Sequence, residues 1–346
     1  MTRLILVLRD LYPARLEQAA LAALPRLPAL EQWLARGDTA QSLGGWRHWL
    51  WREFALGAPL ADDRAEPAAP AAVAAAAVPS LPAGRPLWFA TPVHFVAGLD
   101  TVRLHPAGLL ELDDDAQRLL AADFARVFAG SGYTLHATGR RELLLAGGLP
   151  ATPASMRSDD PAMWLGADPS AGFPTGENAV ALRRLGAELE MWLHEHPVNR
   201  ARSARGQLPA NALWLWGGGA TAVISAVRAA PAALAWAEDL YVDGLTRLRA
   251  SEVMPRPARW PEPGAYAASL GELLVVCGLG TAPDAHALLA LERDWIAPAL
   301  AQWQGGRCDS ATLLAGERAI TLEGSRWRRL WRRLRRPRPW WELLLR

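Results

Sequence analysis

The stretch His196-Pro197-Val198-Asn199-Arg200-Ala201-Arg202-Ser203-Ala204-Arg205-Gly206-Gln207-Leu208-Pro209-Ala210-Asn211 runs on into Trp214-Leu215-Trp216-Gly217-Gly218-Gly219. Before it, Leu182, Leu185, Leu189 and Leu193 recur at helical spacing through residues 177–196. Pro197 stops that pattern, because it lacks the N–H a helix interior needs. After it, residues 212–216 form an apolar run of strand length, 217–219 a tight glycine turn, and 220–229 a helix. Helix, polar loop, strand, turn and helix in succession are the alternation of an α/β chain.

Reading outward, residues 4–8 are a short apolar run closed by Arg9-Asp10. The run is too brief for a signal-peptide core and reads as a buried first strand. Residues 27–37 carry a helix that stops at Gly37, residues 273–277 a second buried strand, and residues 285–302 a long helix. Between these flanks the pattern changes. Residues 61–84 are Ala/Pro-rich and read as a flexible connection. From 86 to 145, apolar segments at 87–90, 94–99, 102–104, 133–137 and 142–145 alternate with turn residues around one helix at 114–129. The expected organisation is an α/β core from 1–60 and 205–325, a linker at 61–84, an inserted α+β domain at 85–204, and a tail at 326–346.

With 346 residues, 51% of them hydrophobic, the chain can bury a large, two-lobed core. No window reaches about 18 uninterrupted apolar residues, and the richest, 211–227, carries three consecutive glycines, so a cytoplasmic protein is expected. Cys277 and Cys308 are too few for a metal-ligand array and are taken as reduced. Every basic residue is Arg, which reads as genome composition. The 17 Trp read mainly as packing residues, with Trp46, Trp49 and Trp51 clustered early in the chain.

The quoted stretch resembles the Asn-x-x-Arg-x-x-x-Gly…Ala-Asn segment of archaeal-type cofactor-independent phosphoglycerate mutases, matched here by Asn199, Arg202, Gly206 and Asn211. Leu165-Gly166-Ala167-Asp168-Pro169 is similar to that family's Asp-Thr-Asp-Pro element, and residues 28–37 to its early Pro-x-Leu helix. Pro92-Val93-His94-Phe95 and the Leu-Trp-Leu-Trp-Gly-Gly-Gly turn resemble, more narrowly, the RpfE-type regulatory family. The resemblance implies an alkaline-phosphatase-like core with a mostly parallel central sheet flanked by helices.

It also implies two divalent metals held by carboxylates and histidines, beside a Ser that takes the phosphoryl group. The sequence departs from that set at each point. Where an Asp-Gly pair should close the first strand, the chain has Arg9-Asp10-Leu11, and Arg9 would repel a cation. The nucleophile region reads Gly44-Gly45-Trp46-Arg47-His48-Trp49, with no hydroxyl. After the strand 273–277 only Asp284 and His286 remain of a Lys-x-x-Asp-Glu-x-x-His cluster, and residues 308–324 hold Cys308-Asp309 but no histidine. Trp216 stands where the family's turn opens with Arg. The expectation is a protein that has lost phosphoryl transfer, needs no cofactor, and binds a phosphorylated small molecule in a regulatory role. An active phosphotransferase using Asp10, Asp284 and His286 with Mn or Zn is the alternative.

Asn199, Arg202, Asn211, Asp168 and His94 are the candidate substrate-binding residues. Asn199, Arg202 and Asn211 either present donors to a phosphate or carboxylate or pin the loop to backbone carbonyls. His94, near Asp100, Arg103 and His105, is either a solvated strand edge or part of a ligand site.

Residues 326–346 hold nine Arg and one Glu, so a chain of net charge +2 divides into a tail of +8 and a body of −6. Trp327, Leu330, Trp331 and Leu334 fall at i, i+3, i+4 and i+7, with Arg328, Arg329, Arg332 and Arg333 elsewhere around the helix. Pro337 ends that segment, and Trp340, Trp341 and residues 343–345 offer a second apolar anchor. Trp327, Arg328, Arg329, Trp331, Arg332 and Arg333 are thus candidate contacts to an anionic membrane surface or acidic partner, at the periphery of the inner membrane. Nucleic acid and packing on the protein's own acidic body are the competing uses.

Overall fold

A strand that is apolar on both faces belongs inside a sheet covered on both sides. The computed structural model places residues 4–8 there; it describes residues 3–12, 21, 23–42, 44–54, 69–81, 84–98, 101–148, 158–176, 179–219, 227, 229–230, 232–262, 270–323 and 338–345. The run is β1 (Arg3–Leu8), buried from Leu4 to Leu8. It pairs in parallel with β10 (Glu272–Cys277) on one side and β11 (Ser310–Ala315) on the other. Beyond β10 follow β8 (Ala233–Trp236) and β9 (Glu252–Met254), also parallel. Beyond β11 follow β12 (Arg318–Leu322) and β2 (Asp38–Gln41), each antiparallel to its inner neighbour. The order β2-β12-β11-β1-β10-β8-β9 is the mostly parallel α/β sheet expected.

One face of this sheet is Leu4, Leu6, Leu8, Leu273, Val275, Leu313 and Ile320, packed in one cluster with residues of the helices Pro28–Arg36, Ala285–Leu291, Ala297–Gln304 and Trp340–Leu345. The two middle helices are joined by a π turn, Glu292–Ile296. It turns Glu292 onto the start of the helix Pro28–Arg36, whose own N-cap, Leu27, has no side-chain acceptor. Glu292 Oε1 accepts from Ala29 N at 2.5 Å and Oε2 from Leu30 N at 3.2 Å, so two orphan donors of that helix are satisfied from elsewhere in the chain.

The chain divides into two compact units. The first holds residues 1–54, 228–238 and 246–346; the second holds 55–227 and 239–245. The second has its own antiparallel sheet of five strands, built on β3 (Leu87–Ala97). One edge of β3 pairs with β7 (Ala212–Gly219). The other is shared: β6 (Leu143–Gly147) pairs with residues 87–90, β4 (Val102–Leu109) with 93–97, and β5 (Tyr133–His136) lies outside β6. Pro92 sits at the fork. Its carbonyl accepts from Leu110 N at 3.0 Å, so its missing N–H faces the gap between β6 and β4 and removes no ladder bond. The segments expected at 87–90 and 94–99 are therefore one strand. Asp114–Val127, capped by Asp113, and Ala179–His194 supply Leu120, Phe124, Leu182, Leu185 and Leu189 to the core that includes Trp88, Leu143 and Leu213.

Three expectations change. Within the Ala/Pro-rich connection 61–84, Pro70–Ala75 is a helix with Ala71, Ala72, Val73 and Ala74 buried. Small side chains let backbones come close, and a Cβ at Gly244 would overlap the Val73 carbonyl. Residues 212–219, expected in the α/β core segment 205–325, instead complete the second sheet, since an apolar run does not announce its partner strand. The C-terminal anchor is part of the first unit's core: Trp340 is fully buried and its Nε1 donates to the Pro25 carbonyl at 3.0 Å. The helix expected at 220–229 lies mostly outside the described residues. So do 324–337, and with them Trp327, Arg328, Arg329, Trp331, Arg332 and Arg333. Among the described residues no helix is long and apolar enough to cross a membrane.

Candidate functional site

In an open parallel sheet, ligands bind beyond the carboxyl ends of the strands where the connections diverge. Here the chain leaves β10, passes over β1 and enters β11, whereas from β8 it moves the other way to β9. The divergence falls between β10 and β8. The residues closing the strands there are Arg9 and Asp10 after β1, Gly278 to Gly280 after β10, and Ala237 and Glu238 after β8.

Arg9 organises this edge. Its backbone N–H continues the ladder to the Cys277 carbonyl at 3.0 Å. Its side chain then lies over Gly278, where a Cβ would overlap Nε, and extends to donate from Nη1 to the Glu238 carbonyl at 3.4 Å. A glycine after β10 is what permits that crossing. Asp10, 2% exposed, accepts from Gly280 N at 2.9 Å through Oδ2, and the same oxygen is 3.6 Å from Arg9 Nε. Burial pushes the thiol of Cys277, the last residue of β10, up to about 12. It is a packing residue, neither nucleophile nor ligand.

A two-metal centre does not fit these residues. A cation at Asp10 would meet the Arg9 guanidinium, and Oδ2 of Asp10 already accepts a backbone N–H. Asp284 is exposed and caps the helix Ala285–Leu291 by accepting from Ala287 N at 2.8 Å. His286 is exposed on the first turn of that helix. Among the described residues, no group of three or more His, Cys, Asp or Glu side chains is placed to hold a metal.

The candidates in the second unit meet one another, but through the backbone. Asn199, buried, donates from Nδ2 to the carbonyls of Leu193 and Ala210 at 2.7 and 2.8 Å and accepts from Ala210 N at 2.7 Å. Asn211 bridges the main chain of Phe95, donating to its carbonyl and accepting from its N–H, both at 2.8 Å. Arg202 donates to the carbonyls of Leu208 and Glu111 at 2.7 and 3.0 Å. His94 Nδ1 is 2.8 Å from the Pro209 carbonyl, and its ring meets His105 edge-on. These groups pin residues 196–211 against β3. The segment is not all loop: His196 caps a short helix, Pro197–Ala204, with Pro197 in its first turn. Exposed Asp168 holds Ser170, and those hydrogen bonds keep its carboxyl below the usual range. Trp216 is buried and its Nε1 donates to Thr91 Oγ1 at 2.8 Å.

No known family profile matches the chain, and no curated protein matches it. Among solved structures it is similar to the cofactor-independent phosphoglycerate mutase from Thermoplasma acidophilum, at 15% identity and a TM-score of 0.35, covering 93% of this chain and 90% of that one. It is also similar to the PH0037 protein from Pyrococcus horikoshii, at 13% identity and a TM-score of 0.42, covering 93% and 87%. At such identity, activity has to be argued from this chain's own residues.

Proposed function

We propose that the chain is a phosphoglycerate-mutase-like protein, related to the RpfE-type regulatory family, that performs no metal-dependent phosphoryl transfer and serves as a cytoplasmic ligand-binding or regulatory protein. What supports the reading is Arg9. Its guanidinium lies across the carboxyl ends of β10 and β8, where the resemblance would put metal, and Asp10 is turned to the Gly280 N–H. A fixed positive charge there favours an anion and opposes a divalent cation. Residues 326–337 retain, on sequence alone, the proposal of an anionic membrane surface or acidic partner.

The test is the metal content of the purified protein by elemental mass spectrometry, with a mutase assay on 3-phosphoglycerate and Mn²⁺. The expected result is far less than one metal per chain and no interconversion of phosphoglycerates. Stoichiometric metal, or mutase activity abolished by a chelator, would overturn the proposal.

A further inference from the structure

Among the described residues, the most exposed large apolar side chains are Met191 and Val180, at 72% and 70%. Both lie on the helix Ala179–His194, whose Leu182, Leu185, Leu189 and Leu193 are buried in the core of the second unit. Val180, Arg184, Ala187 and Met191 follow at i, i+4, i+7 and i+11 and are all exposed, so they form one stripe on the side away from those leucines. A helix that only covers a core carries charged and polar residues there; this one is apolar at both ends of the stripe. The charges beside it are divided along the helix: Arg183 and Arg184 precede Ala187, and Glu188 and Glu190 follow it. Arg184 and Glu188, 3.1 Å apart, flank the stripe on one side. Arg183 and Glu190 flank it on the other, without an ion-pair partner among the described residues.

We propose that the helix Ala179–His194 is a self-association face, through which two copies of the chain pair antiparallel about a two-fold axis. Within one helix, Arg before Glu is the weaker order. Between antiparallel copies it is the complementary one. A two-fold axis sets each flank against itself in reverse, so Arg184 meets Glu188 of the other copy, Arg183 meets its Glu190, and Val180 falls against its Met191. A parallel pair would put like charges together. The neighbouring helix Asp114–Val127, tied on by Trp192 Nε1 donating to Asp123 Oδ2 at 3.1 Å, adds exposed Leu119 and Val127 to the apolar surface of this layer. The helix Ala179–His194 is about 24 Å long. One such contact buries less than the roughly 1,200 Å² of a stable interface, so the dimer is weak and reversible, with a dissociation constant in the micromolar range.

The experiment is sedimentation velocity of the full chain from about 1 µM to about 1 mM. It compares wild type, Arg183→Glu with Arg184→Glu, Glu188→Arg with Glu190→Arg, an equal mixture of these two variants, Met191→Ser, and the control Leu289→Ser on the first unit. The wild type is expected to dimerise by mass action. Each charge reversal and Met191→Ser should weaken that association at least tenfold, the mixture should restore it, and Leu289→Ser should leave it unchanged. Recovery in the mixture excludes misfolding of either reversed variant, and Met191→Ser, at an exposed site, keeps the test decisive if one of them does misfold. A monomer at every concentration, a dimer that tolerates Met191→Ser or both reversals, or folded reversed variants that fail to associate on mixing would each overturn the proposal.

Discussion

Replacing Trp340 tests whether the end of the chain is a free anchor or a part of the first unit. Its indole is fully buried, donates to the Pro25 carbonyl at 3.0 Å and meets Trp341 edge-on at 5.5 Å. Its helix is also held by Arg318 Nε, which donates to the Leu344 carbonyl at 3.0 Å. Trp340→Ala is expected to cost about 3–5 kcal/mol, the range for emptying a buried aromatic site. The orphaned Pro25 carbonyl contributes roughly 1 kcal/mol of that. For a body of this size the thermal midpoint should fall by roughly 6–20 °C. Trp340→Phe, which keeps the ring and loses the donor, should fall between the two. The assay is thermal and urea unfolding followed by far-ultraviolet circular dichroism, with half-buried Trp341→Ala as comparison. A change in Trp340→Ala below about 0.5 kcal/mol, or a loss in Trp341→Ala just as large, would refute the reasoning. If the helix is core, deletion after residue 325 unfolds the first unit as well as removing the basic stretch. Arg-to-Gln changes within 326–336 are then the clean probe of membrane or partner binding.

Glu292 and His196 should give the two units opposite responses to acid. Burial raises the Glu292 carboxyl, so its contribution is complete below the usual carboxylate range and is lost as pH rises through the folded value. Glu292→Gln should therefore flatten a rise in first-unit stability between neutral and mildly acidic pH, followed by hydrogen exchange of β1 and β10; an unchanged slope would count against it. Burial lowers His196, with Asp123 at 3.4 Å opposing, so the second unit should weaken as pH falls below about 6.5. His196→Asn, which retains a helix cap, should remove that dependence in the exchange of β3. Gly244→Ala should destabilise the second unit by about 1–3 kcal/mol because its methyl meets the Val73 carbonyl. Gly186→Ala, on an open helix face, should stabilise by roughly 0.5–1 kcal/mol. Urea midpoints decide this pair, and the same sign for both would refute the close packing of residues 70–75.

Strands with continuous apolar runs, residues 4–8 and 273–277, were legible because burial on both faces leaves no other reading. β2 was not: Asp38 to Gln41 is exposed and polar, and it exists as a strand only because β12 offers an edge. The helix at 70–75 was hidden by the Ala and Pro content that also lets it pack closely. At the site, Arg9 beside Asp10 was visible in sequence as an obstacle to metal. Its reach over Gly278 was not, because the glycine that admits it follows another strand, β10. Asn199, Arg202 and Asn211 announced a polar turn, but the carbonyls that occupy them are not properties of those residues.

The position of β1 has a consequence for synthesis on the ribosome. Residues 3–8 emerge long before their partners at 272–277 and 310–315, so a strand of five consecutive large apolar residues waits with both edges bare. At roughly 5–20 residues per second that wait is on the order of tens of seconds. Within it, the segment that ends at the centre of the larger sheet exposes both its apolar faces and its unpaired edges, the features that make a growing chain prone to aggregate.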